Sequence, residues 1–300
     1  MFRLKRFVQP VFRWGRRAQR QIERQGVLLV GVRLAKFGPT RALAGKWMER
    51  NRYHELAQSN EQSSSSATPS AKRLNRMAEA VGATRYLEIG IQHGLTLESV
   101  VVETRIGVDP AHDVNTARLP SGVTVITRPS DKFFADYRGA GFDLIFLDGL
   151  HVFEQTYRDV IHAFRILRPG GLVVIDDTIP SHELAALRTR SLSREAQKEL
   201  AYPEFEWMGD VFRTVLALSE FHPEIEIATV VDEFHRGQTL AWPASSTARF
   251  DMVADDALTK FRFASFSSLF NGGIPAAFNV ASLDDAMQRR QAALTSPAGS

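Results

Sequence analysis

The chain contains no cysteine. Disulfides and thiolate metal sites are therefore excluded, while the redox compartment stays open. Long apolar runs are also missing. The longest near the N-terminus, Val27-Leu28-Leu29-Val30-Gly31-Val32, falls far short of the roughly 20 residues a membrane-spanning helix needs. Acidic residues are scarce at the front: residues 1–53 hold 2 Asp and Glu against 14 Lys and Arg. That segment is +12, and the remainder, with 23 basic and 32 acidic residues, is −9. A basic arm thus precedes an acidic body. No internal repeat and no nucleic-acid recognition motif is found.

In the arm, Phe2, Leu4, Phe7, Val8, Val11, Phe12 and Trp14 fit one helix face, with Pro10 as a break or kink. One expectation is a helix lying on an anionic membrane surface with its aromatic residues inserted. An organellar transit peptide is similar in composition, although residues 1–53 have no serine. The alternative is a solvated extension that packs on its own acidic body or on a second subunit of a homo-oligomer. The expected location is cytoplasmic, peripheral on a membrane if the arm binds one. Ser59 to Ser70, with Ser63-Ser64-Ser65-Ser66, suits a flexible linker. The expected divisions are an arm at 1–58, a linker at 59–70, a main domain at 71–245 and a helical C-terminal extension at 246–300 whose tail is disordered.

Leu74, Met77, Ala78 and Val81 form a helix stripe that Gly82 ends. Strand-like runs then alternate with helical patterns. The strands are expected at 85–89, 105–108, 123–127, 143–147 and 171–176, and the helices near 95–103, 130–138 and 153–167. This alternation predicts an α/β fold with a doubly wound, mostly parallel, Rossmann-like sheet. A helix near 210–220 and the runs 225–231 and 238–242 follow. The two runs suit an antiparallel hairpin at the sheet edge, making seven strands.

The chemistry begins at Tyr86-Leu87-Glu88-Ile89-Gly90-Ile91-Gln92-His93-Gly94-Leu95-Thr96. Gly90 and Gly94 stand where a strand turns into a helix, a place suited to close ligand approach. Their spacing is Gly-x-x-x-Gly, not the Gly-x-Gly-x-x-Gly of dinucleotide dehydrogenases. Glu88 at the strand end would repel a pyrophosphate and suit a cationic amine. Asp109 ends the next strand, well placed for ribose hydroxyls. A ligand with a ribose, a cationic amino-acid end and no phosphate is S-adenosylmethionine. Isolated buried acids at both positions are costly without a partner, which favours the ligand role.

At these residues the sequence resembles the class I S-adenosylmethionine-dependent methyltransferases. Within them it is similar to small-molecule and sugar O-methyltransferases with an Asp-Gly-x-His signature. The resembling stretches are Leu87-Glu88-Ile89-Gly90, Gly94-Leu95-Thr96, Gly107-Val108-Asp109-Pro110, Ser130-Asp131-Lys132-Phe133-Phe134 and Phe142-Asp143-Leu144-Ile145-Phe146-Leu147-Asp148-Gly149-Leu150-His151. Leu167-Arg168-Pro169-Gly170-Gly171, Ile175-Asp176-Asp177-Thr178 and Trp207-Met208-Gly209-Asp210-Val211 complete the series. The resemblance implies that Glu88, Gly90 and Gly94 hold the methionine end, that Asp109 binds the ribose, and that Ser130 and Asp131 lie near the adenine. Ser130 would equally serve as an ordinary helix N-cap.

Asp148 follows one strand, and Asp176 and Asp177 follow another 28 residues on, which brings the three to one rim of the sheet. Converging carboxylates repel unless protons or a cation intervene. Oxygen donors suit Mg²⁺ or another divalent cation such as Ca²⁺. Metal-dependent O-methyltransferases of the catechol type carry a comparable set, but with a lysine where this chain has His151. His151, with an unperturbed pKa of about 6.5, is the candidate general base. The alternative is a histidine at a helix terminus, bonded to a neighbouring carboxylate. Glu154 and Asp159 are expected to be surface or structural, Asp210 to cap the helix after it, and Trp207 to wall the acceptor pocket. His93 either contacts ligand or faces solvent. A hydroxyl on a sugar or other polyhydroxylated acceptor, or a membrane glycan, is the implied methyl acceptor; the alternatives are metal-independent transfer to oxygen or nitrogen, and a non-catalytic cofactor-binding scaffold tethered by its basic arm.

Overall fold

The computed structural model describes residues 68–231, 237–245 and 248–295. The arm, the linker up to residue 67 and the tail at 296–300 lie outside them. The first described helix, α1 (Pro69–Val81), starts inside the stretch expected as linker. Thr68 caps it, accepting from the Ala71 N–H at 3.0 Å, and Pro69 takes the first turn.

The chain then runs β1 (Arg85–Ile89), α2 (Leu95–Ser99), β2 (Thr104–Val108), β3 (Val123–Ile126), α3 (Ser130–Asp136), β4 (Phe142–Leu147), α4 (Phe153–Ile166) and β5 (Leu167–Ile179). After these come α5 (Arg190–Glu199), α6 (Phe212–Phe221), β6 (Ile225–Val231), β7 (Gly237–Pro243), α7 (Asp255–Arg262), α8 (Phe266–Phe270) and α9 (Leu283–Thr295). The strands form one seven-stranded sheet, ordered β3-β2-β1-β4-β5-β7-β6. Strands β1 to β5 pair in parallel, and β7 joins β5 and β6 antiparallel, so the fold is the α/β sheet with an antiparallel edge hairpin. The order reverses direction at β1, between β2 and β4, and a doubly wound sheet opens a crevice at that point.

The period-two alternation of a strand sorts its side chains between two cores. In β4, Phe142, Ile145 and Leu147 join the core under α4 and α6, while Leu144 and Phe146 join the core under α1. In β5, Val173 and Ile175 face the first core and Leu172 and Val174 the second. The C-terminal segment feeds both: Leu258, Phe261 and Phe278 enter the first core, and Leu283 and Ala286 the second. It also adds a bridge between Val280 and Thr229 beside the sheet.

Helices α2 and α5 also differ from expectation. The helix expected over 95–103 stops at Ser99. Asn75 of α1 donates to the Ser99 carbonyl at 3.1 Å and accepts from the Val101 N–H at 2.7 Å, which draws the β-branched run 100–102 out of the helix. Helix α5 is absent from the sequence expectation. Its buried face is Ser193, Ala196 and Gln197, so no apolar stripe marked it.

Candidate active site

The carboxyl ends of the parallel strands open on a cleft of about 860 Å³. Glu88, Gly90, Asp109, Ser130, Asp148, His151, Asp176 and Asp177 all line it. Gly94 and Asp131 do not.

At one end β1 passes into its loop at Gly90, φ +86°, where a Cβ would collide with the Asp148 carbonyl. The glycine is required by this close approach of two strand ends, and the left-handed backbone adds to the requirement. Gly94 opens α2 just beyond. Asp109 ties the loop down: one carboxylate oxygen accepts from the Ile91 and Gln92 N–H groups at 3.1 and 3.0 Å, the other from Ala111 N–H at 2.7 Å. A carboxylate has about four acceptor positions, so one is left for a hydroxyl. Glu88 is buried and accepts from the Tyr86 hydroxyl at 2.8 Å. Burial holds its carboxyl well above the usual range; the tyrosine bond opposes this, and Asp148 and Asp176 add to it. Such a group favours a cation beside it.

Ser130 is the first residue of α3, after Pro129, and does not cap it. Its hydroxyl accepts from the Gln155 amide at 3.1 Å, and Gln155 also lines the cleft. Asp131 is spent on Gln155 at 3.0 Å and Arg158 at 3.3 Å. Asp159 is buried, not on the surface: burial raises its carboxyl to about 7, against bonds from Ser130 and Gln155. His93 pairs with Asp113 at 3.4 Å at the cleft edge.

The other end is built on β4 and β5. His151 Nε2 lies 3.2 Å from Asp148 Oδ1, and Nδ1 lies 3.2 Å from Asp177 Oδ2. The Nδ1 atom is buried and makes no well-aligned hydrogen bond. Donor atoms of Asp148, His151 and Asp177 all fall within 4.8 Å of one another. The converging third group is therefore His151, whereas the sequence grouped Asp176 with the two aspartates. Asp176 is turned toward Gln238, whose amide donates to it at 3.0 Å, and the Asp177 N–H bonds the same oxygen at 3.0 Å. Burial, then Asp148, raises its carboxyl above the usual range. Asp177 sits where the β5–β7 register shifts, at φ +55°, a left-handed conformation that a non-glycine residue adopts only under constraint. His151 is driven up to about 9: burial opposes the shift, and the Asp148 bond and the charge of Asp177 outweigh it.

Residues 180–211 cover this end. The Trp207 ring stacks on His151 at 5.0 Å and 11°, and its indole N–H donates to the Leu187 carbonyl at 2.6 Å. The segment is clamped to the His151 backbone. A Cβ at Gly209, φ +63°, would collide with the His151 carbonyl. Asp210 does not cap the helix that follows it. It accepts from the Phe153 N–H at 2.6 Å, at the start of α4, and pairs with Arg188 and Arg213 at 3.0 and 2.8 Å. Arg190 and Phe205 also line the cleft, and no motif in the sequence marked them.

Residues 70–178 match a family model described as a methyltransferase domain. No curated protein matches the sequence. Among solved structures, the chain is similar to cofactor-bound Rv0187 from MTB, at 20% identity over 71% of this chain and 95% of that one, with a TM-score of 0.44. It is similar to the O-methyltransferase TomG from Streptomyces achromogenes in complex with SAM, at 18% identity over 59% and 80%, TM-score 0.43. An O-methyltransferase from Bacillus cereus in complex with SAH is 14% identical over 71% and 96%, TM-score 0.42. The matched stretch runs from α1 to the Asp176–Asp177 rim and so contains both ends of the cleft floor; over residues 70–178 the chain is similar to a methyltransferase domain.

Proposed function

We propose that the chain moves a methyl group from S-adenosylmethionine to a hydroxyl oxygen of a small acceptor, with a sugar or other polyhydroxylated compound as the first choice. One observation carries this reading: a single cleft joins the Gly90–Asp109 cradle to the Asp148–His151–Asp177 cluster. Glu88 would face the donor's ammonium group, Asp109 its ribose, and Ser130 the adenine end. The acceptor oxygen attacks the methyl carbon, the carbon–sulfur bond breaks, and S-adenosylhomocysteine leaves as a neutral thioether. The sulfonium is already a good leaving group, so the protein's part is in-line alignment and removal of the hydroxyl proton. His151 accepts that proton once its own imidazole is neutral.

The donors fit a divalent cation. Two carboxylates and a ring nitrogen of His151 converge within 4.8 Å. Mg²⁺ prefers oxygen, so Asp148 and Asp177 would be its ligands, leaving His151 as base. When bound, such a cation would polarise the acceptor hydroxyl and lower its pKa. The second reading is transfer without metal. It is supported by His151 itself, whose two ring nitrogens each lie 3.2 Å from one of the carboxylates, so the imidazole can answer their charge in place of a cation.

Calorimetry of the full chain with S-adenosylmethionine tests the first step, and absence of binding overturns the enzyme reading. Mass spectrometry of hydroxylated acceptors, with Mg²⁺ or after chelation, then looks for the gain of one methyl. Activity that survives thorough chelation decides for the metal-free form. We further propose that the arm at 1–53 holds the enzyme on anionic membranes, since its sequence combines 14 Lys and Arg with Phe and Trp residues spaced for one helix face. Sedimentation with anionic liposomes should be lost when residues 1–53 are deleted.

A further inference from the structure

The charges lining the cleft are lopsided. Five carboxylates line it: Glu88, Asp109, Asp148, Asp176 and Asp177. Among the described residues a single lysine or arginine does so, Arg190. Arg190 opens α5, on the segment that covers the acceptor end. Its guanidinium lies 5.7 Å from the Trp207 ring centroid and 6.0 Å from that of Phe205. The Arg194 guanidinium also lies over the Phe205 ring, 4.2 Å from its centroid. Among the described residues Arg190 has no carboxylate partner, although the cleft floor is rich in them. The other arginine at this segment's base is committed: Arg188 pairs with Glu154 and Asp210.

An arginine stacked on aromatic rings keeps its N–H edge free, and it is weakly hydrated there. That edge matches a carboxylate, sulfate or phosphate by paired hydrogen bonds. From these observations, and resting on the methyl-transfer reading above, we infer that the acceptor carries an anionic group, which Arg190 binds while the reacting hydroxyl lies at Asp148 and His151. The spacing limits the acceptor's size. His151 to Trp207 is 5.0 Å and Trp207 to Arg190 is 5.7 Å, so His151 and Arg190 are separated by no more than about 11 Å. With a hydrogen bond of about 3 Å at each end, this suits one ring bearing both groups, not an extended chain. Arg190 is a specificity residue in this scheme. It takes no part in the bond changes, and it also offsets the repulsion that the five carboxylates would exert on an anionic acceptor.

The test is calorimetry on the full chain saturated with S-adenosylhomocysteine and Mg²⁺. Two matched pairs are titrated: catechol against 3,4-dihydroxybenzoate, and methyl glucoside against methyl glucuronoside. The expected result is at least tenfold tighter binding of the anionic member in one pair or both. Arg190→Gln removes that preference, Arg190→Lys keeps part of it, and neither changes the affinity for S-adenosylhomocysteine by more than about twofold. No preference in either pair overturns the inference, and so does a preference that persists in Arg190→Gln. A loss of S-adenosylhomocysteine affinity in Arg190→Gln overturns it too, because Arg190 would then serve the donor or the cleft's general field. These results leave the methyl-transfer reading standing. Failure of the unaltered chain to bind S-adenosylhomocysteine removes that reading and this inference with it.

Discussion

The two ends of the cleft are built by different means. The end proposed for the donor is local and made largely of backbone: Gly90, the N–H groups of Ile91 and Gln92, and Asp109 holding them lie within about twenty residues. The end proposed for the acceptor is assembled from side chains far apart in sequence, Asp148, His151, Asp177, Arg190 and Trp207, brought together by β4, β5 and the covering segment. A backbone cradle accepts one ligand class by its shape and donor groups. A side-chain assembly can exchange its members without disturbing the sheet, so acceptor choice can vary there.

The largest effect should come where the two ends touch. Gly90→Ala forces a Cβ into the Asp148 carbonyl at a left-handed backbone position. It should cost at least about 2 kcal/mol of stability and weaken S-adenosylmethionine binding roughly a hundredfold. Urea unfolding and calorimetry would measure both; a variant with ordinary stability and affinity would show that the loop does not need this contact. Next, His151→Ala should separate the ends. Methyl transfer should fall by about 10² to 10⁴, the range of general-base catalysis, with donor affinity within about threefold. A fall in affinity that matches the fall in rate would show that the two ends do not act separately.

The donor end was legible in the sequence because its determinants are neighbours. A strand, two glycines and an acid in one loop carry their chemistry in the order of the chain. The sheet was legible for the same reason: short apolar runs mark β4 and β5, whose side chains enter both cores. The acceptor end was legible only as residue types. That His151, not Asp176, completes the cluster depends on the left-handed turn at Asp177 and on Gln238 from β7 drawing Asp176 aside. Asp210 looked like a local cap, yet its carboxylate reaches Phe153 N–H 57 residues earlier. Arg190 was hidden because α5 buries polar side chains and shows no apolar period.

A pH series sharpens the contrast. His151 is raised from 6.5 to about 9 by its carboxylate partners. As a base it must be neutral, so the metal-free transfer rate should climb as pH rises through about 9, and Mg²⁺ should move that limb downward. Stability should run the other way. The pairing stabilises fully below the unfolded pKa of about 6.5 and is lost as pH rises through about 9. Denaturation in the presence of a chelator should therefore show falling stability across that window, and His151→Gln should flatten it. Asp159, raised to about 7, has the same sign but acts mostly below the window.

The smallest effect is expected at Asp131, which the family resemblance places near the adenine. Its carboxylate meets Gln155 and Arg158 on the flank of α4 and does not line the cleft. The pair is partly exposed, and such ion pairs contribute about 0 to 1 kcal/mol. Asp131→Asn should therefore leave S-adenosylmethionine affinity within about twofold and stability within about 1 kcal/mol. Ser130→Ala is the matched control, because Ser130 does line the cleft and its hydroxyl accepts from Gln155. If adenine is read at that place, the serine variant should weaken the donor more than the aspartate variant. The reverse order, measured by calorimetry on both, would mean that the flank of α4 swings inward when the donor binds and that the donor end is less fixed than its backbone cradle implies.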